Sequence, residues 1–234
     1  MISVVAPAYN EVDCLRPFTV EVVDTMRNLG EEFELVFVDD GSSDGTRALL
    51  RQLASEYPEV HFLGFKENRG QTAALAAGFK RARGDIVVTL DADMQNDPRD
   101  IPALIGKLGE YDVVIGWRQK RHDNLVRRVS SRVANYVRNK LSNEEIKDVG
   151  CALRAYKKEC LENIKLYEGM HRFFPTLFKL EGYSLGEVPV NHRPRELGDS
   201  KYNIRNRIVK AFLDLLAVRW MKRRYIHYEI EEER

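Results

Sequence analysis

The sequence predicts an α/β protein: a mostly parallel sheet with flanking helices and an amphipathic helix near the C-terminal end. Three observations predict it. Short apolar runs alternate with stretches of helical spacing, polar clusters follow the runs, and 234 residues suffice for a large single core. Hydrophobic residues make up 44% and charged residues 31% of the chain, an ordinary globular balance that argues against disorder. The net charge of +1 points to no particular partner, and nucleic acid is not expected.

Ile2 to Ala6 is the first expected strand, and Leu15 to Leu29 the first helix. Leu35 to Val38 is the second strand; Gly45 to Tyr57 reads as a helix entered through a turn, and Thr72 to Arg83 as an alanine-rich helix. Ile86 to Leu90 is the third strand, Pro102 to Leu108 a shorter helix, and Val113 to Ile115 a fourth strand. A β-α-β-α-β order places helices on the sheet faces and ligands beyond the carboxyl ends of the strands. The clusters Pro7-Ala8-Tyr9-Asn10-Glu11, Asp39-Asp40-Gly41-Ser42-Ser43-Asp44-Gly45 and Asp91-Ala92-Asp93-Met94-Gln95 should therefore meet at one edge.

Beyond Trp117 the rhythm changes to an arginine-rich helical segment ending near Leu141, a stretch from Val149 to Lys157, and an amphipathic segment from Gly169 to Leu180. Leu185 to Val190 reads as a further strand, and Asn191 to Ser200 as a loop because proline, glycine and charge dominate it. From there Ile204, Ile208, Ala211, Phe212 and Leu215 recur at helical spacing, with Arg207, Lys210 and Asp214 on the other side. Such a helix either docks on the domain or lies on a membrane surface beside the basic Lys222-Arg223-Arg224. The expected organisation is a catalytic domain over 1–203, then this helix and an acidic tail over 204–234.

Cys14, Cys151 and Cys160 are odd in number and show no C-x-x-C spacing, so neither a disulfide framework nor a structural zinc site is indicated, and a reducing cytoplasm fits. The first residues start a strand without the basic and apolar regions of a secretory signal. No apolar run approaches the roughly 18 residues of a membrane-spanning helix.

Asp91 and Asp93 stand one residue apart at a strand's end, where two carboxylates repel unless a cation or hydrogen-bond donors compensate. A hard cation such as Mg²⁺ or Mn²⁺ takes oxygen ligands and completes its shell with phosphates, and Gln95 can add a neutral oxygen. The plainer alternative is a solvated turn running into Asn96-Asp97-Pro98. Asp39 and Asp40, with Gly41 and Gly45, suit close backbone approach to a nucleotide; the plainer alternative is a loop whose Asp44 or Ser43 caps the next helix. Arg118, Arg121, Arg127, Arg128, Arg132 and Arg138 offer planar forks for phosphate, although most of such a run faces solvent. His171 and His192 lack any paired metal spacing. The absence of G-x-G-x-x-G, of a P-loop and of H-E-x-x-H sets aside dinucleotide oxidoreductases, P-loop enzymes and zincins.

These motifs in order, together with Asn68-Arg69-Gly70, resemble the family 2 glycosyltransferases of the GT-A, Rossmann-like fold. Asp148-Val149-Gly150-Cys151, His171-Arg172-Phe173-Phe174-Pro175 and the run from His192 to Tyr202 resemble the polyprenyl-phosphate branch, which includes dolichol-phosphate mannosyltransferase. The resemblance implies an inverting, metal-dependent transfer of a hexosyl group from a UDP- or GDP-sugar to dolichyl or undecaprenyl phosphate, at the cytoplasmic face of a membrane. It implies that Pro7, Tyr9, Glu11 and Asp39 surround the base and ribose, and that Asp91, Asp93 and Gln95, with Ala92 between them on the donor side, hold Mg²⁺ or Mn²⁺ and the diphosphate. Arg118 and Arg132 would face the acceptor phosphate, Lys179, Arg195, Ser200 and Lys201 would close on the diphosphate, and Asp148 would be a base or an acceptor-positioning carboxylate. The resemblance departs where many bacterial relatives continue into membrane-spanning helices, while this sequence ends in Glu229-Ile230-Glu231-Glu232-Glu233-Arg234, and at Asp97, where proline is frequent. Competing expectations are transfer to a saccharide or protein hydroxyl, which needs a clear base, and a noncatalytic nucleotide-sugar or membrane-binding module.

Overall fold

A computed structural model describes residues 1–119, 146–162, 164–195, 204–226 and 232, with the side chains of 204–212 outside that description. Its strands are β1 (Ile2–Ala8), β2 (Phe33–Asp39), β3 (Val60–Gly64), β4 (Ile86–Thr89), β5 (Val113–Arg118), β6 (Arg154–Lys157) and β7 (Leu185–Val190). They form one seven-stranded sheet in the order β3-β2-β1-β4-β6-β5-β7. β1 runs parallel to β2 and β4, β2 to β3, and β5 to β7, whereas β6 is antiparallel to both of its neighbours. All four strands expected from apolar runs are present, and so is Leu185–Val190. Two strands had no such signal. β3 is an edge strand in which only Val60 is buried, and β6 is bounded by Arg154 and Lys157, so pairing rather than composition makes it a strand.

The helices are α1 (Val12–Leu29), α2 (Thr46–Glu56), α3 (Gln71–Arg81), α4 (Ile101–Lys107), α5 (Glu159–Glu162), α6 (Phe174–Leu180) and α7 (Ile204–Arg224). α1 buries Leu15, Phe18, Val22 and Met26, one stripe at helical spacing, and Gly30 ends it in a left-handed conformation at φ 77°. Each such side chain contributes roughly 1.5–3 kcal/mol on full burial, before the entropy of ordering it. Alternation along β1 divides the interior: Val4 and Ala6 join the core beneath α1 and α2, while Val5 joins the other, formed with Leu75, Phe79, Tyr156, Phe174 and Phe178. α3 lies close on the second face because Gly78 leaves room; a Cβ there would collide with Val5.

α7 docks through Leu215 and Val218, both buried in the second core. The docking expectation therefore holds for this face. Leu213, Leu216 and Trp220 fall on the opposite face and are 59%, 44% and 64% exposed. The expected contribution of Ile204, Ile208, Ala211 and Phe212 lies outside the described side chains. Among the described residues, no helix is long and apolar enough to cross a membrane. The three cysteines are buried free thiols.

Candidate active site

Because β1, β2 and β4 run parallel, their carboxyl ends open at one edge, and the three polar clusters meet there. The first two interlock. Asn10 donates its N–H to Ser42 Oγ at 2.8 Å and accepts at Oδ1 from the Ser43 N–H at 2.7 Å, while the Glu11 N–H donates to Thr46 Oγ1 at 2.9 Å. Asn10 takes φ 54°, which its short amide side chain tolerates better than most. Asp44 accepts from the Thr46 N–H at 3.0 Å and the Val12 N–H at 3.3 Å, so its carboxylate serves the first turns of α1 and α2 together, while the N-cap residue of α2 is Gly45.

Asp39 has no exposed side-chain surface: Oδ2 accepts from Arg47 Nε at 2.6 Å and Oδ1 from the Ser42 N–H at 2.9 Å. Arg47 also donates to the Phe65 carbonyl, tying α2 to the end of β3. Asp40 accepts from the Arg69 N–H at 2.6 Å, the Gly70 N–H at 2.9 Å and Asn68 Nδ2 at 2.9 Å. Burial pushes the Asp40 carboxyl above its ordinary value, and those two N–H donors oppose the shift. Gly41, at φ 73°, passes so close to Glu67 that a Cβ would overlap its backbone. The Asp39-Asp40-Gly41 and Asn68-Arg69-Gly70 motifs are thus one welded unit. Tyr9, 39% exposed, and half-buried Pro7 stand at the end of β1 in the same edge.

Buried Leu90 and Ala92 anchor the third cluster. Asp91 Oδ1 accepts from Gln71 Nε2 at 2.8 Å, and Asp93 Oδ1 from the Gln95 N–H at 3.1 Å. Between them Met94 takes φ 63°, a conformation that strains a residue with a long side chain and is held by this turn and by packing of Met94 on the core. Gln95 accepts at its carbonyl from the Arg193 N–H at 2.9 Å, and Asn96 bridges to His192, so the chain leaving β7 is stitched to the carboxylate loop. Burial pushes the Asp91 carboxyl up to about 7 and the Asp93 charge adds to it, with Arg154 and Arg118 opposing. That is the conflict a cation resolves. Among the described residues, no group of three or more His, Cys, Asp and Glu side chains is arranged to hold a metal. Two carboxylates and an amide give oxygen donors only, which suits Mg²⁺ or Mn²⁺ sharing its shell with water and phosphate rather than a closed protein cage.

Arg195 approaches this loop as a cation of the protein's own. Its Nη2 donates to Glu11 Oε1 at 2.7 Å and Oε2 at 2.9 Å, and Nη1 lies 3.6 Å from Asp93 Oδ2. Arg118 grips Asp148 with two parallel bonds, Nε to Oδ2 at 2.6 Å and Nη2 to Oδ1 at 2.9 Å, and both side chains are largely buried. Lys179 is exposed on α6, and among the described residues no hydrogen bond or ion pair joins it to these carboxylates. Arg132, Ser200 and Lys201 lie outside the described residues, as do Arg121, Arg127, Arg128 and Arg138.

Sequence reasoning missed Gln71, Arg47 and Arg154. Gln71 directly follows Asn68-Arg69-Gly70, so its position at a helix start beside a motif was the available signal. Arg47 and Arg154 carry no local signal, since a lone arginine in a helix or strand is usually solvated.

A profile described as glycosyl transferase family 2 matches residues 3–165. The chain is 37% identical over 228 residues to dodecaprenyl-phosphate galacturonate synthase of Rhizobium johnstonii, spanning 95% of this chain and 67% of that protein. It is 37% identical over 219 residues to undecaprenyl-phosphate 4-deoxy-4-formamido-L-arabinose transferase of Salmonella paratyphi B, spanning 92% and 66%. It thus covers about two thirds of the length of these curated relatives. Among solved structures, a mannosyltransferase from Pyrobaculum calidifontis in complex with GDP-Man and Mn²⁺ superposes with a TM-score of 0.64 at 24% identity, covering 92% of this chain and 63% of that one. Glucosyl-3-phosphoglycerate synthase from Mycobacterium tuberculosis, with Mn²⁺, UDP and phosphoglyceric acid, superposes with a TM-score of 0.70 at 21% identity, covering 97% and 80%. These likenesses establish the GT-A fold. With the family profile spanning well over half of the sequence and the relatives spanning nearly all of it, the chain belongs to glycosyl transferase family 2.

Proposed function

We propose that this chain transfers a hexosyl group, with inversion, from a UDP- or GDP-sugar to a polyprenyl phosphate at a membrane surface. The observation that carries the acceptor class is the Arg118–Asp148 pair. A carboxylate held by both forks of a guanidinium is a poor proton acceptor, so Asp148 is suited to positioning Arg118 and not to general-base work. An acceptor that brings its own negative charge needs no base, whereas a sugar or protein hydroxyl does. The 37%-identical relatives, whose names specify dodecaprenyl and undecaprenyl phosphates, support the same class.

In this reading Pro7, Tyr9 and the unit built on Asp39 and Asp40 receive the nucleoside, while Asp91, Asp93 and Gln95 face its diphosphate with Mg²⁺ or Mn²⁺. The metal, when bound, supplies charge neutralisation for the leaving diphosphate. Arg195, freed from Asp93, has N–H groups to offer the same oxygens. Arg118 orients the acceptor phosphate, one oxygen of which forms the new bond to the anomeric carbon as the bond to the nucleotide diphosphate breaks and its electron pair leaves with the diphosphate. The two reactants carry like charge, so arginines on the acceptor side and a cation on the donor side are what let them approach. The exposed Leu213, Leu216 and Trp220, continuing into Arg223 and Arg224 at the end of α7, suit a headgroup layer where the acceptor lipid resides.

The test is to incubate the protein with Mn²⁺, a panel of UDP- and GDP-sugars and a short-chain polyprenyl phosphate, with saccharide acceptors in competition. A glycolipid whose formation stops on chelation is expected. Preference for the saccharide, or donor binding without any transfer, would replace this reading with one of its competitors.

A further inference from the structure

Arg154 is 6% exposed, on β6 opposite Thr89 of β4, and lies outside every motif that carries the family resemblance. Its guanidinium donates to three main-chain carbonyls: Nε to Cys151 at 2.9 Å, Nη2 to Val149 at 2.7 Å and Nη1 to His171 at 3.1 Å. The ring of Phe174 lies 5.5 Å from its Cζ and closes one side. A buried permanent cation is costly unless its donors are satisfied, and here they are satisfied by two separate segments, one before β6 and one after it.

Each segment leads to a different part of the site. Val149 and Cys151 flank Gly150, whose N–H donates to Asp148 Oδ1 at 3.2 Å, and Asp148 holds Arg118. His171 lies with Nδ1 2.7 Å from Thr72 Oγ1, which also accepts from the Gly169 N–H at 3.1 Å, and Thr72 neighbours Gln71, the donor to Asp91. One guanidinium therefore stands where the route to the acceptor-side arginine and the route to the carboxylate pair join.

We propose that Arg154 is a positioning residue that holds the Asp148 loop and the His171 turn in register, so that Arg118 and Asp91 keep their relative placement. The assignment of Arg118 to an acceptor phosphate rests on the function proposed above; the mechanical link does not. Lysine keeps the charge but has a single nitrogen, which cannot span carbonyls in three directions.

Arg154→Lys is compared with the unaltered chain by amide hydrogen exchange, by Mn²⁺-dependent nucleoside-diphosphate binding and by steady-state kinetics. Faster exchange is expected at both Gly150 and Gly169, with the acceptor KM raised about tenfold and diphosphate affinity changed less than about threefold. Should that variant fail to fold, Thr72→Val loosens the His171 turn; Gly169 then loses its own acceptor directly, so the reading is taken at Gly150, where faster exchange transmitted through Arg154 is expected together with a raised acceptor KM. Unaltered exchange at Gly150 in either variant, or equal losses for donor and acceptor, would overturn the proposal. If the unaltered chain makes no glycolipid, the functional reading fails, and the exchange data still decide the role of Arg154.

Discussion

Arg195 holds Glu11 through both carboxylate oxygens, at 2.7 and 2.9 Å, across 184 positions of sequence. With Asp93 3.6 Å from the same guanidinium, one side chain balances carboxylates from two of the three edge clusters. Arg195→Ala should weaken nucleoside-diphosphate binding by about tenfold or more, the loss of one or two charge-assisted hydrogen bonds, while Mn²⁺ alone binds more tightly. Calorimetric titration of each ligand checks both signs, and undiminished diphosphate affinity would exclude a donor-side role.

Asp93→Asn removes one of the two carboxylates offered to the cation and leaves the Asp93–Gln95 turn an oxygen acceptor. Turnover should fall by at least about a thousandfold while the melting temperature is kept or rises, because like charge is removed from the loop. A rate assay with excess Mn²⁺, paired with a thermal melt, separates the metal role from damage to the fold.

The Asp91 carboxyl, raised by burial and by Asp93 from an ordinary 3.8 to about 7, makes a pH prediction of definite sign. Between those values the folded chain binds more protons than the unfolded one, so without metal its stability falls as pH climbs from about 4 to about 7 and levels above. Adding Mn²⁺ with a nucleoside diphosphate at pH 8 should restore the loss. Melting temperatures across pH 5–8, with and without metal, measure it; a metal-free curve that rises over this range would contradict the crowding of Asp91 and Asp93.

Asp97 behaves oppositely. Burial would raise its carboxyl, but hydrogen bonds from Arg99 and then Arg193 hold it at about 2. It therefore contributes stability that is present above pH 3.8 and lost as pH falls toward 2. Asp97→Asn should cost about 1–2 kcal/mol near neutrality and only a small fraction of that at pH 2, where the carboxyl is half protonated, read from denaturant midpoints at both values. Proline at this position would lack the carboxylate that receives Arg193 at 2.9 Å.

Trp220→Glu and Leu216→Glu place charge on the outward face of α7, away from Leu215 and Val218. Binding to vesicles containing anionic lipid should drop about tenfold or more, with turnover on a water-soluble short-chain acceptor retained. Cosedimentation reads the first and a coupled assay the second. Unaltered vesicle binding together with a dissociated oligomer would assign this face to a second copy of the chain.

Local pattern in the sequence was enough to place β1, β2, β4, β5 and β7 and the helices from α1 to α4, because strands covered on both faces read as short continuous apolar runs and helices buried on one face repeat every third to fourth residue. The parallel order then brought Glu11, Asp39, Asp91 and Asp93 to one edge. Two strands escaped this logic. β3 is an edge strand with little buried surface, and β6 owes its existence to the strands on either side of it.

Which charges neutralise one another was decided by the tertiary structure. Arg195 meets Glu11 over 184 positions, Arg118 meets Asp148 over 30, Arg154 reaches the His171 carbonyl over 17, and Arg47 reaches the Phe65 carbonyl over 18. Nothing within a window of helix or strand length distinguishes these arginines from solvated ones. Their partners are fixed by the path of the chain around the sheet, where burial makes an unpaired charge too costly to keep and each guanidinium takes the acceptors that the fold brings within reach.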